Sequence, residues 1–148
     1  MAHVTRSSCI SAEPQAIWGV LAAFGHLRRL DESLDHSSLL RDGLLAVGLT
    51  RRVQGGRLVV LERVVEVDEP RSLTYDIEGL PGPAASVRNR WRLEPAGDDA
   101  TDVHVTTTVT IGSRPPQRLI EHVMARLVAT RSNKMLEGLA TQTESTHV

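Results

Sequence analysis

The sequence predicts an α+β fold in which a curved antiparallel sheet wraps one long C-terminal helix. Three observations predict it. Residues 114–143 carry a helical pattern, with Ile120, Val123, Met124, Leu127, Val128, Met135 and Leu139 gathered on one broad face at about 100° per residue. Most of the chain from Ser37 to Ile111 alternates with a period of two. The breaks between these runs are short and rich in Gly, Pro and Asp.

The elements follow in order. Residues 3–10 read as a strand, with Val4, Arg6, Ser8 and Ile10 on one face. Ser11-Ala12-Glu13-Pro14 starts a helix, capped near Ser11 or Glu13 with Pro14 in its first turn. Ile17, Trp18, Leu21 and Ala22 give it an apolar stripe, and Phe24-Gly25 ends it. A second short helix is expected over 26–33. A weak strand follows at 37–42, then a strand near Leu49–Val53. Gln54-Gly55-Gly56-Arg57 is a hairpin signal. Leu58–Val67 is a long strand, and the turn Asp68–Ser72 contains Pro70. Leu73, Tyr75 and Ile77 share a face of the next strand, before a stiff loop at Gly79–Pro83. Over Ala84–Glu94, Val87, Asn89, Trp91 and Leu93 face one way and Arg88, Arg90 and Arg92 the other, so the arginines mark the wet face. Val103, Val105, Thr107, Val109 and Ile111 alternate on the last strand. The order is one strand, two short helices, six strands and a long helix, a seven-stranded helix-grip arrangement.

Arg131 interrupts the pattern of the last helix. It projects near the middle of the apolar face, with Arg118, Glu121, His122 and Ser132 elsewhere. A charge there is costly unless paired or wet. That favours a cavity under the helix over a dry core. The alternative is an arginine at the edge of the face, reaching out to solvent.

Bulk composition narrows the function. A chain of 148 residues with 41% apolar content suits a single globular domain over 1–148. Lys+Arg number 17 against 18 Asp+Glu, for a net charge of −1, which leaves no footprint for nucleic acid. The aromatics are Trp18, Phe24, Tyr75 and Trp91, too few for a base-stacking surface. Cys9 is the single cysteine, and the six histidines form no metal-ligand spacing, so neither a metal nor a cofactor is expected. No apolar run reaches ~18 residues and the N-terminus lacks a signal-peptide core, so no membrane insertion and a cytoplasmic location are expected. No nucleophile elbow or glycine-rich phosphate loop is present.

Several local patterns together resemble the START-like (Bet v 1-like) superfamily, especially its bacterial polyketide cyclase/dehydrase branch. They are Ala16-Ile17-Trp18 leading to Phe24-Gly25-His26-Leu27; Val47-Gly48-Leu49-Thr50-Arg51; Leu61–Asp68; Leu73-Thr74-Tyr75-Asp76-Ile77; and Gly138-Leu139. The resemblance spans essentially the whole chain and extends to the plant abscisic-acid receptors. It implies a hydrophobic cavity between sheet and C-terminal helix, with the Gln54-Gly55-Gly56 hairpin and the Gly79–Pro83 loop as gate and latch. The chain departs from the family at Leu30, where a Trp is common, and near Val87, where a Tyr is common. The receptors' ligand-gripping lysine has no counterpart in 37–42, so their hormone chemistry does not carry over.

The candidate ligand-binding residues are Glu62, Tyr75, Val87, Asn89, Trp91, Thr107, Leu127, Arg131 and Met135. Resemblance to the receptors implies that Glu62 faces the cavity. Alternation leaves this open, because both faces of 58–67 are mainly apolar and a bulge could switch them midway. If Glu62 and Arg131 both point inward, they pair across the cavity. The pair would orient a ligand, or serve as base and enolate stabiliser for aldol closure. Tyr75 reads either as core with its hydroxyl at the rim or as a ligand contact. Asn89 between Val87 and Trp91 needs partners for its inward amide. Trp91 reads as wall, Thr107 as a polar strand residue. His26 and His36 lie near the expected mouth, while His104 and His122 read as exposed.

Three functions fit. The chain binds a lipophilic, cyclic small molecule in a pocket of ~300–1,000 Å³; or it is a polyketide cyclase/dehydrase; or it is a helper domain acting on a protein partner. The expected state is a monomer or a homodimer. Fold analogy does not choose between these readings. The lack of a clear acid–base dyad favours binding.

Overall fold

A computed structural model describes residues 2–27, 30, 34–79, 86–110 and 115–144, with the side chains of the last segment described from Thr130 onward. The elements are β1 (Ala2–Ile10), α1 (Pro14–Ala22), β2 (His36–Leu39), β3 (Thr50–Gly55), β4 (Leu58–Asp68), β5 (Ser72–Glu78), β6 (Ser86–Pro95), β7 (Thr101–Thr110) and α2 (Pro115–Glu144). The strands form one antiparallel sheet of seven in the order β1-β7-β6-β5-β4-β3-β2. The first and last strands are therefore neighbours, and β2 forms the far edge. This is the helix-grip arrangement expected from the sequence.

Pro14 opens α1 after Glu13, whose extended backbone serves as N-cap without a side-chain hydrogen bond. Ile17, Trp18 and Leu21 fall on its buried face. The second helix expected over 26–33 lies largely outside the described residues. Leu27 and Leu30 are both buried, and the Leu30 amide donates to the Leu27 carbonyl at 2.9 Å. The weak strand expected at 37–42 is shorter than its pattern, ending at Leu39. Beyond one further bond, from the Leu40 amide to the Thr50 carbonyl, the chain leaves the sheet and exposes Leu40, Leu44 and Val47.

The β3–β4 hairpin turns at Gly56-Arg57, flanked by the pair Gly55 and Leu58. Gly56 has φ +60°, which its missing Cβ permits. This turn fixes the register, because the pairing counts back from it residue by residue. A bulge between Val64 and Glu66 interrupts the β4–β5 ladder. Val60, Glu62 and Val64 are buried before it, and Val67 packs against the core after it. The two apolar faces of this strand are thus one inner face that changes parity at the bulge.

On β6 and β7 alternation is regular. Val87, Asn89, Trp91 and Leu93 are buried, as are Val103, Val105, Thr107 and Val109. Arg88, Arg90 and Arg92 are exposed on the convex face, where Arg88 donates to both oxygens of Asp76 at 2.6 and 3.1 Å. Helix α2 covers the concave side. Its last turn is tied to the end of β1, the Ser11 amide donating to Glu144 Oε1 at 3.0 Å.

From Thr130 onward the inner stripe of α2 differs from the expected one. Ser132 is fully buried with Met135, Leu136, Leu139 and Thr143, whereas the Arg131 side chain keeps 24% of its surface exposed. Leu136 and Thr143 move the centre of the stripe onto Ser132. Arg131 then lies roughly a quarter turn round the helix, at the edge of the face.

Candidate functional site

Register places the polar side chains of the concave face. Arg51 stands opposite Glu62 across β3 and β4. Two residues further along β4, Val64, Tyr75, Asn89 and Thr107 line up across β4, β5, β6 and β7. Trp91 follows on β6, opposite Leu73 and Val105. A diagonal of polar groups thus crosses a floor that is otherwise aliphatic.

At one end of the diagonal, Glu62 is 1% exposed and Arg51 4%. Arg51 Nε and Nη2 both lie 2.7 Å from Glu62 Oε1. Arg51 Nη1 donates to the Phe24 carbonyl at 3.1 Å. The guanidinium carbon sits 3.9 Å from the centroid of the Phe24 ring and 4.9 Å from that of Tyr75. The two rings meet edge to face, centroids 5.6 Å apart. Charge pairing, a carbonyl acceptor and two π faces together offset the loss of water around this cation. The other carboxylate oxygen, Oε2, is 3.7 Å from Arg131 Nη1. Glu62 therefore bridges two arginines, Arg51 in direct contact and Arg131 at longer range.

At the other end is a buried hydrogen-bond network. Thr107 Oγ1 donates to Asn89 Oδ1 at 2.7 Å. Asn89 Nδ2 and Trp91 Nε1 donate to the Tyr75 hydroxyl at 3.4 and 3.3 Å. All four residues are at most 1% exposed. A niche of about 10 Å³, with room for one water-sized oxygen, is lined by Arg51, Tyr75 and Trp91 together with Leu21, Leu27 and Leu30.

The candidate residues thus fall into groups. Glu62 and Arg131 come together, and Tyr75, Asn89, Trp91 and Thr107 form one network. Val87 and Met135 are both buried in the apolar core, while the side chain of Leu127 lies outside the described residues. Of the expected gate and latch, the Gln54-Gly55-Gly56 hairpin is described and 80–83 of the latch lie outside. His26 is exposed beside the niche, His36 is exposed on β2, and His122 lies outside the described side chains.

Arg51 is the residue that reading the sequence missed. A signal for it was present. A two-residue turn at Gly56-Arg57 pairs Gly55 with Leu58, and counting back along both strands sets Arg51 against Glu62.

Other chemistry is poorly supplied. The Cys9 thiol is exposed, and its pKa is raised by desolvation and by hydrogen bonding to Asp102, which keeps it a protonated, weak nucleophile. Among the described residues no group of three His, Cys, Asp or Glu is arranged to hold a metal ion. Among them, too, no helix is long and apolar enough to cross a membrane.

Comparison with known proteins places this geometry in context. Residues 1–144 match the profile of the family described as polyketide cyclase / dehydrase and lipid transport. No curated protein matches the chain in sequence. Solved structures do match in fold. The Zhui aromatase/cyclase from Streptomyces sp. R1128 is 15% identical, with a TM-score of 0.77 over 97% of this chain and 93% of its own. A START superfamily protein from Mycobacterium smegmatis is 16% identical, with a TM-score of 0.73 over 97% and 98%. The protein XoxI from Bacillus cereus is 18% identical, with a TM-score of 0.78 over 100% and 99%.

Proposed function

Because the chain belongs to the polyketide cyclase/dehydrase and lipid-transport family, we propose that it binds a hydrophobic, cyclic small molecule between the concave sheet and α2. The observation that carries this reading is the diagonal of fully buried polar groups on that face. A sheet built only for packing has no need of a buried Arg51–Glu62 pair and a four-residue network, since apolar residues of similar volume would serve stability equally well. Polar groups set in an apolar wall are the usual means of orienting a small ligand. Native mass spectrometry of protein purified from its own host tests the reading. A copurifying small molecule in the range of ~200–600 Da is expected, sized to a pocket of ~300–1,000 Å³. Repeated recovery of the bare chain, together with no uptake from a panel of polycyclic ketones and lipids, would count against it.

A second reading, cyclase or dehydrase activity, is favoured by the two guanidinium groups converging on Glu62. Arginines so placed can stabilise an enolate oxygen. Glu62 itself turns both oxygens towards arginines, which suits a positioning role better than proton abstraction. Turnover of a synthetic linear poly-β-ketone thioester, followed by chromatography, separates the two readings. Cyclised product above the uncatalysed rate identifies an enzyme; an unchanged rate leaves binding alone.

A further inference from the structure

The convex face of the sheet carries a second constellation, on the side away from the interior. Ser7, His104 and Arg92 lie in one row across β1, β7 and β6, with Glu94 two residues further along β6. Ser7 Oγ is 2.7 Å from His104 Nδ1. The other ring nitrogen, Nε2, is 3.8 Å from Glu94 Oε2, within ion-pair range. Ser7 is exposed, and the His104 and Glu94 side chains keep 25% and 58% of their surface, so a reagent in solvent can reach all three.

The order of these groups gives each a role. A carboxylate beside Nε2 favours the tautomer with its proton there, which leaves the Nδ1 lone pair facing the Ser7 hydroxyl. Ser7 then donates and His104 accepts. A hydroxyl bonded to a base, with that base oriented by a third group, is the arrangement of an activated nucleophile. The same two strands supply a contrast. His3 Nδ1 lies 2.8 Å from Thr108 Oγ1, but among the described residues no acidic group forms an ion pair with that ring. Between the two pairs, the Thr5 and Thr106 hydroxyls meet at 3.0 Å. One of their two protons is used in that contact, which leaves the other able to donate to a developing oxyanion.

We propose that Ser7 is a nucleophile towards activated carboxylic esters, with His104 as its base and Glu94 as a positioning residue. His104 Nδ1 takes the Ser7 proton as Oγ bonds to the ester carbonyl carbon. The tetrahedral intermediate collapses, the bond to the leaving oxygen breaks, and His104 gives that oxygen the proton. Water then attacks the acyl-serine with His104 again as base, which releases the carboxylic acid and restores the hydroxyl. Glu94 offsets the positive charge that the ring carries between these transfers. The face is open to water, so the leaving group must be good: aryl esters react, and alkyl esters and amides do not. This activity is separate from ligand binding in the interior, and neither depends on the other.

A fluorophosphonate, which labels activated serines, tests the proposal on the full chain, with the labelled residue located by peptide mass spectrometry. Ser7 should be labelled and Thr108 should not. His104→Gln should slow the labelling at least about tenfold. Glu94→Gln should slow it about threefold, and Glu94→Asp should recover most of that loss, as expected where charge and not shape matters. Hydrolysis of 4-nitrophenyl acetate should fall at least about tenfold in Ser7→Ala. It should be unchanged in Cys9→Ser, whose thiol is exposed on the same strand. All these side chains lie on the solvent face, so each variant keeps the core intact. No label on Ser7, labelling unaffected by His104→Gln, or hydrolysis lost in Cys9→Ser in place of Ser7→Ala would overturn the proposal.

Discussion

Glu62 is 1% exposed, and a lone carboxylate at that depth is costly enough that its partner decides its fate. Arg51 is that partner, with two nitrogens at 2.7 Å. Replacing Arg51 by Met should therefore cost ~3–5 kcal/mol, because it strands the buried charge. Arg131→Met should cost Glu62 only about 1 kcal/mol of pairing, since the contact between them is 3.7 Å long and the Arg131 side chain remains 24% exposed. Urea denaturation of the two variants reads the difference. The double variant Arg51→Met/Glu62→Leu should recover most of the loss, and equal losses for Arg51→Met and Arg131→Met would contradict this ranking. The same residues show how far side-chain chemistry can be read from the chain. Glu62, Tyr75 and Asn89 stand out in sequence as polar residues within apolar runs. Arg51 does not, because the Arg51-Arg52 pair in a six-residue strand carries no period. Its importance lies in what faces it across the sheet, which only the register reveals.

Elements with a strong local pattern follow the chain closely. The β6 and β7 alternation and the β3–β4 hairpin each contain their own instruction, in side-chain parity or in a glycine turn. The inner stripe of α2 does not, because helical periodicity gives a face only to within a residue or so. A buried Ser132 looks polar in sequence, while the neighbouring apolar positions leave the centre of the face ambiguous. Two glycines on helices make opposite predictions. A Cβ on Gly138 would collide with the carbonyl oxygen of Leu30, and it would sit 2.7 Å from that residue's carbonyl carbon and Cα. Backbone cannot swing aside as a side chain does, so either α2 or the Leu30 segment must move. Gly138→Ala should lose ~1–3 kcal/mol from overpacking, in spite of the gain of up to ~1 kcal/mol that alanine normally brings to a helix. Gly19, in α1, has nothing within 4 Å of the same added atom. Gly19→Ala should keep that gain and raise Tm. Thermal unfolding monitored by circular dichroism distinguishes them, and a stabilised Gly138→Ala would show that α2 is not pressed against Leu30.

At the scale of the whole molecule, one concave sheet and one covering helix share the burial of a core that includes polar side chains. Those side chains are satisfied in part by each other and, on the reading proposed above, in part by a guest. A ligand held between sheet and helix stabilises only the folded chain, so binding and stability are linked. At a ligand concentration of about a hundred times Kd, the folded state should gain ~2.7 kcal/mol. For a domain of 148 residues, that gain corresponds to a rise in Tm of roughly 5–10 °C. Differential scanning fluorimetry with graded 2-acetylnaphthalene measures it. The rise should grow with the logarithm of ligand concentration above Kd, as mass action requires. A Tm that stays flat for every cyclic probe would mean that the buried diagonal is structural, a polar seam that aligns the strands and takes no guest.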